Sequence, residues 1–112
     1  MPRYLILFDA HAMDHIPEEE MPAVAEASHE VVDEAMNAGV WVFGGGLLDE
    51  RASVVATDGK VSDGAYPEAI GGFSVVDVLS REEALQWAAK IADSCRCAQE
   101  VREFMPDSAV RN

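Results

Sequence analysis

A chain of 112 residues that sets 8 Lys+Arg against 21 Asp+Glu carries a formal charge of −13. At 49% hydrophobic residues it reads as one globular domain over residues 1–112, with no room for a second and no case for disorder. Its acidity excludes a nucleic-acid binder, which needs a basic stripe, and docking to an anionic membrane surface.

Residues 4–8 (Tyr-Leu-Ile-Leu-Phe) are a continuous apolar run, as expected of a strand buried on both faces. The run is too short for a signal peptide or a membrane span. Residues 9–20 lack periodicity and read as a loop. A helix is predicted from Met21 to about Ala38, with Pro22 in its first turn, Glu18, Glu19 and Glu20 at the positive end of its dipole, and Gly39 as a left-handed stop. Residues 40–43 form a second strand that runs into Gly44-Gly45-Gly46. Residues 53–56 and 60–62 are the arms of a hairpin turned at Asp58-Gly59. Gly71-Gly72 opens a strand over residues 73–78. Ser80 and Glu83 then form a capping box for a second helix, with Ala84, Leu85, Ala88, Ile91 and Ala92 as its apolar stripe and an end near Asp93. A last strand is predicted over residues 97–104, and residues 105–112 form a loose tail.

Cys95 and Cys97 are the two cysteines, one residue apart at the entrance to that last strand. They make no disulfide framework, so a reducing compartment is the simpler expectation and the protein reads as cytoplasmic. The spacing is not the Cys-x-x-Cys signature, and no further cysteine completes a zinc site.

The major elements run β-α-β, hairpin, β-α-β. Two βαβ halves joined antiparallel give the ferredoxin-like split βαβ, an α+β arrangement with both helices on one sheet face. The opposite face also carries apolar residues, and 112 residues supply no third layer to cover it. A second copy of the chain, packed sheet against sheet, is the economical cover, so a homodimer is expected.

The order Asp63-Gly64, Gly71-Gly72-Phe73-Ser74-Val75-Val76-Asp77-Val78 and Ser80-Arg81-Glu82-Glu83-Ala84-Leu85-Gln86-Trp87-Ala88 resembles the YciI-related family, in the branch named for an Asp-Gly-Pro-Phe motif. Ala38-Gly39-Val40 followed by Gly44-Gly45-Gly46-Leu47 matches the same branch. The resemblance implies a dimeric α+β barrel, and small-molecule chemistry through a His/Asp pair in some members; others occur beside alternative sigma factors. Ala65-Tyr66 stands where the motif has Pro-Phe, and the stretch up to Gly71 is short, so the loop that names the branch is altered here.

His29 is the first chemical candidate. It lies where the apolar arc of the first helix meets the acidic face of Glu26, Glu30, Asp33, Glu34 and Asn37, with Asp33 one turn away. A carboxylate partner would orient the imidazole as a general base. Asp77, at the end of the strand face that carries Phe73 and Val75, is the second candidate, and the resemblance supports its role as partner to His29. Trp41 and Phe43 alternate with Gly45 and, with Phe73, are candidate ligand-contacting aromatics on the sheet. Asp9, His11, Asp14 and His15 cluster in the first loop in residue types that suit a metal, but they lack the helical spacing of a ligand pair, and no metal or other cofactor is assigned.

The favoured reading is a YciI-like small-molecule protein with a pocket between helix and sheet. Its sharpest form is a cofactor-independent enzyme with His29 as base and Asp77 or Asp33 as partner, acting by proton abstraction or elimination on a small aromatic or carbonyl compound. The alternative is a non-catalytic ligand-binding or regulatory module that works through a protein partner. A pocket lined by His29, Trp41 and Phe43 would favour the enzyme; an isolated His29 would not.

Overall fold

The apolar run near the N-terminus lies inside strand β1 (Arg3–Asp9). The computed structural model describes residues 2–48, 52–64, 66, 69–107 and 109. A single 3-10 turn (Glu18–Glu20) leads into helix α1 (Met21–Asn37), and strand β2 (Trp41–Gly46) follows. Short strands β3 (Ser53–Val55) and β4 (Val61–Asp63) form a separate hairpin. Strand β5 (Ile70–Asp77), helix α2 (Arg81–Cys95) and strand β6 (Glu100–Glu103) complete the chain. The molecule is a small α+β protein. Its main sheet has the order β2-β5-β1-β6, and every neighbouring pair is antiparallel.

Strand alternation divides the sheet into two faces. Tyr4 and Ile6 of β1 and Val76 of β5 point toward the helices. There they form one buried cluster with Ala35, Val40, Val78, Ala84, Trp87, Ala88 and Ile91. Leu5, Leu7, Phe73 and Val75 lie on the other face, which neither helix covers, and they remain half-buried.

Local signals set the helix ends. Gly39 adopts φ +76°, the left-handed conformation that stops α1 after Ala38. At α2, Ser80 Oγ accepts a hydrogen bond from the Glu83 amide at 3.2 Å, and the Glu83 carboxylate accepts one from the Leu79 amide at 3.0 Å. The box therefore closes one residue earlier than its usual form, which returns to the N-cap amide itself.

Two expectations need correction. The apolar face of α2 is centred on Ala84, Trp87, Ala88 and Ile91, spaced i, i+3, i+4 and i+7. Trp87 is only 9% exposed while Leu85 is 43% exposed, because Leu85 falls outside that arc. The two cysteines also do not enter a strand. Cys95 is the last residue of α2, Arg96 takes a left-handed cap at φ 58°, and Cys97 lies in the connection to β6. The guanidinium of Arg96 pairs with Glu20, which ties the end of α2 to the start of α1.

The acidic face of α1 is solvated as expected, with Glu26, Glu30, Asp33, Glu34 and Asn37 all exposed. Glu34 is paired with Lys90 of α2. Among the described residues no helix is long and apolar enough to cross a membrane. Part of the tail expected at residues 105–112, and Ala65 of the altered motif loop, lie outside the described residues.

Candidate ligand-binding site

One face of α1 does not reach the sheet, and the gap is a cavity of about 480 Å³ that is open to solvent past Ala25, Met36, Gly45 and Gly46. Met21, Val24, Ala25, Ser28, Val32 and Met36 of α1 form one wall. Phe8 of β1, Trp41 and Gly44 to Gly46 of β2, and Phe73 and Ser74 of β5 form the floor. Met13 closes the cavity from the first loop, and Ile91, Ser94, Cys95 and Gln99 close it from the end of α2 and the turn beyond. None of these residues is charged. The volume lies within the range of roughly 300–1,000 Å³ typical of small-molecule sites, which are mostly apolar with a few polar groups.

Glycines let the strands of the floor pack closely. A Cβ on Gly44 would stand 2.4 Å from the Phe73 carbonyl oxygen and 2.7 Å from Ser74 Cα. A Cβ on Gly72 would stand 2.8 Å from the Phe8 ring. Here the sheet backbone and the Phe8 ring approach more closely than any side chain allows.

Polar groups gather at the α2 end of the cavity. Ser28 Oγ lies 3.4 Å from Cys95 Sγ, a link between the two helices. Ser94 Oγ donates to the Ile91 carbonyl at 2.9 Å. Gln99 Nε2 donates to the Cys97 carbonyl oxygen at 3.3 Å and lies 3.5 Å from Cys97 Sγ. Burial pushes the Cys97 thiol pKa up, the neighbouring Cys95 adds to the effect, and the Gln99 contact partly offsets it. On the far side of the core, Tyr4 Oη donates to Glu103 at 3.2 Å. Its pKa is raised by burial first and by the Glu103 carboxylate second.

The expected site residues are dispersed. Trp41 lines the cavity and Phe43 does not; Phe73 borders it from β5, but strand alternation turns its ring to the uncovered face. The strict alternation expected for β2 is interrupted by a bulge: Trp41 pairs with Val76 and Phe43 with Val75, so Val42 is the extra residue. Phe43 is thereby turned to the uncovered sheet face, 65% exposed, with its ring centroid 6.1 Å from that of Phe73.

His29 and Asp33 are exposed on α1 and line no part of the cavity. By helical geometry His29 falls about 20° beyond Met36, just past the rim. Among the described residues no hydrogen bond or ion pair links His29 to Asp33 or Asp77. Asp77 sits opposite Arg3 across β5 and β1, with Oδ2 3.7 Å from Arg3 Nε. The structure therefore does not bring His29, Asp33 and Asp77 together.

A different histidine does have a carboxylate partner. His11 Nδ1 lies 3.0 Å from Asp14 Oδ2, and the His11 amide donates to Asp9 Oδ1 at 2.8 Å. Both His11 and Asp14 are exposed at the side of a groove that also includes Leu47, Leu48, Val55, Tyr66 and Ile70. Among the described residues no three His, Cys, Asp or Glu side chains converge as a metal site.

Sequence reasoning passed over Met13, Met21, Met36, Ser28 and Cys95 as lining residues. For Met36 the signal was present, since it shares a helical stripe with Ala25 and Val32. For Met13 and Cys95 there was none, because both enter the wall through tertiary packing.

No family model matches the chain, and no curated protein matches it either.

Proposed function

We propose that this protein binds a small organic molecule in the cavity between α1 and the sheet. The observation that carries this is an uncharged, mostly apolar cavity of about 480 Å³ walled by both helices and floored by glycine-thinned strands. Met13, Met21 and Met36 give it an adaptable wall, since thioether side chains repack around ligands of different shape. The lining contains no imidazole or carboxylate, which favours binding over acid–base catalysis at this site.

The same reading includes a YciI-like chain of ferredoxin-like split βαβ topology that forms a homodimer in the cytoplasm. The strand order β2-β5-β1-β6 with antiparallel neighbours supports the topology. The family relationship rests on the motif residues from Asp63 to Ala88. Leu5, Leu7, Phe43, Phe73 and Val75 on the uncovered sheet face support the dimer.

Nile red, an uncharged dye that brightens in apolar sites, tests the binding reading. Wild-type protein is expected to bind it with micromolar affinity. Ala25→Phe, which fills the cavity from an exposed helix position, is expected to abolish binding. Absence of binding, or binding that Ala25→Phe leaves intact, would contradict the reading.

A second reading is favoured by the contact between His11 and Asp14. An imidazole oriented by a carboxylate can abstract a proton, so the His/Asp chemistry expected for this chain has a geometric candidate in the first loop rather than at His29. The protein should then accelerate exchange of the α-protons of small ketones in D₂O. His11→Gln should remove that acceleration; absence of exchange in the wild type would end this reading.

A further inference from the structure

This inference rests on the cavity-binding reading and concerns what the cavity selects. Six lining side chains can hydrogen-bond: Ser28, Ser74, Ser94, Cys95, Gln99 and, as a donor only, the Trp41 indole N–H. Two of them are already committed to backbone carbonyls, Ser94 to Ile91 and Gln99 to Cys97. Ser74 makes no hydrogen bond to the described residues, and it is not sealed from the cavity. Ser28 has only the Cys95 sulfur, at 3.4 Å, and a thiol is a weak donor and a weak acceptor. Ser28 stands on the helix wall and Ser74 on the sheet floor. Each hydroxyl faces an otherwise apolar space, where an unanswered polar group is costly and a ligand group that answers it is rewarded.

Charge narrows the choice further. No Lys, Arg or His lines the cavity, so an anionic ligand would lose part of its hydration without a compensating charge. No Asp or Glu lines it, so a cationic ligand fares no better. The chain's net charge of −13 opposes anions at longer range as well. The volume exceeds by about threefold a cavity of roughly 150 Å³ that holds benzene, so two fused rings fit.

We infer that the ligand is an uncharged molecule of about two-ring size with one hydroxyl or carbonyl group, seated between Ser28 and Ser74. Phenol-type and ketone-type aromatic compounds have this chemistry; carboxylates, phosphates and amines do not.

Equilibrium dialysis with naphthalene, 2-naphthol, 2-naphthoate and 2-naphthylmethylamine tests this on the full chain. 2-Naphthol is expected to bind about tenfold tighter than naphthalene, and both charged probes at least tenfold weaker than naphthalene. Alanine is well tolerated in helices, so Ser28→Ala should fold, and circular dichroism checks each variant. Ser28→Ala and Ser74→Ala should each narrow the preference for 2-naphthol. The double variant should bind 2-naphthol and naphthalene equally. Equal binding of those two probes by the wild type, tighter binding of either charged probe, or a preference that survives the double substitution would overturn the inference. If the two neutral probes bind the wild type no better than they bind Ala25→Phe, the cavity reading itself fails, an outcome distinct from loss of selectivity alone.

Discussion

Gly44 lies so close to Ser74 on the neighbouring strand that a Cβ at position 44 would stand 2.7 Å from Ser74 Cα. The obstructing atoms are backbone, which cannot rotate away. Gly44→Ala should therefore force β2 and β5 apart and destabilise the fold by about 3 kcal/mol, the upper part of the overpacking range. Gly45→Ala, with nothing within 4 Å of its added Cβ, should change stability by less than about 1 kcal/mol. Urea titration of the two variants separates them.

The cap of α2 offers a milder test. Ser80→Ala removes the acceptor for the Glu83 amide and should cost about 1 kcal/mol, a fall in melting temperature of about 5 °C for a domain of this size. Ser80→Asp restores an acceptor and should recover most of the loss.

Alkaline pH should weaken the fold. Tyr4 and Cys97 both have pKa values raised above their ordinary 10.0 and 9.0, in each case chiefly by burial. Both groups are neutral when protonated, so above those ordinary values the unfolded chain releases protons that the folded chain still holds. Their contribution is complete below pH 9.0 and is lost as pH climbs through the folded pKa values. Urea midpoints should thus be level from neutrality to about pH 8.5 and fall beyond it. Tyr4→Phe should flatten the steepest part of that fall, even though it also removes the hydrogen bond to Glu103.

Solution mass tests self-association. The wild type should sediment at twice its chain mass of 12.1 kDa. Phe43→Glu places a carboxylate on the uncovered face without disturbing the core, and it should weaken the dimer at least about a hundredfold by burying an unpaired charge. A wild-type monomer at micromolar concentration would contradict the dimer.

The elements with local signals were legible in the sequence. The apolar run of β1, Gly39 after α1, Asp58-Gly59 in the hairpin and Ser80 with Glu83 at α2 each act through neighbours in the chain, and each appears where expected. What escaped depended on contacts between distant segments. The bulge at Val42 carries no sequence mark, and it moved Phe43 to the face opposite Trp41. Trp87 displaced Leu85 because packing against the sheet, not hydrophobicity alone, fixes the centre of a helix's buried arc. For the candidate site, Trp41 beside the gap between α1 and the sheet was legible. Its polar contacts were not, since Ser28 and Cys95 stand 67 residues apart.

The extra residue in β2 has one more effect. Trp41 reaches into the cavity and Phe43 stands on the uncovered face, separated by the single bulged residue Val42. A molecule that pushes on the indole also pushes on the backbone that aims the phenyl ring. Occupancy of the cavity and pairing of two chains would both bear on this segment of β2, and linkage requires any effect of one on the other to be returned by the same factor.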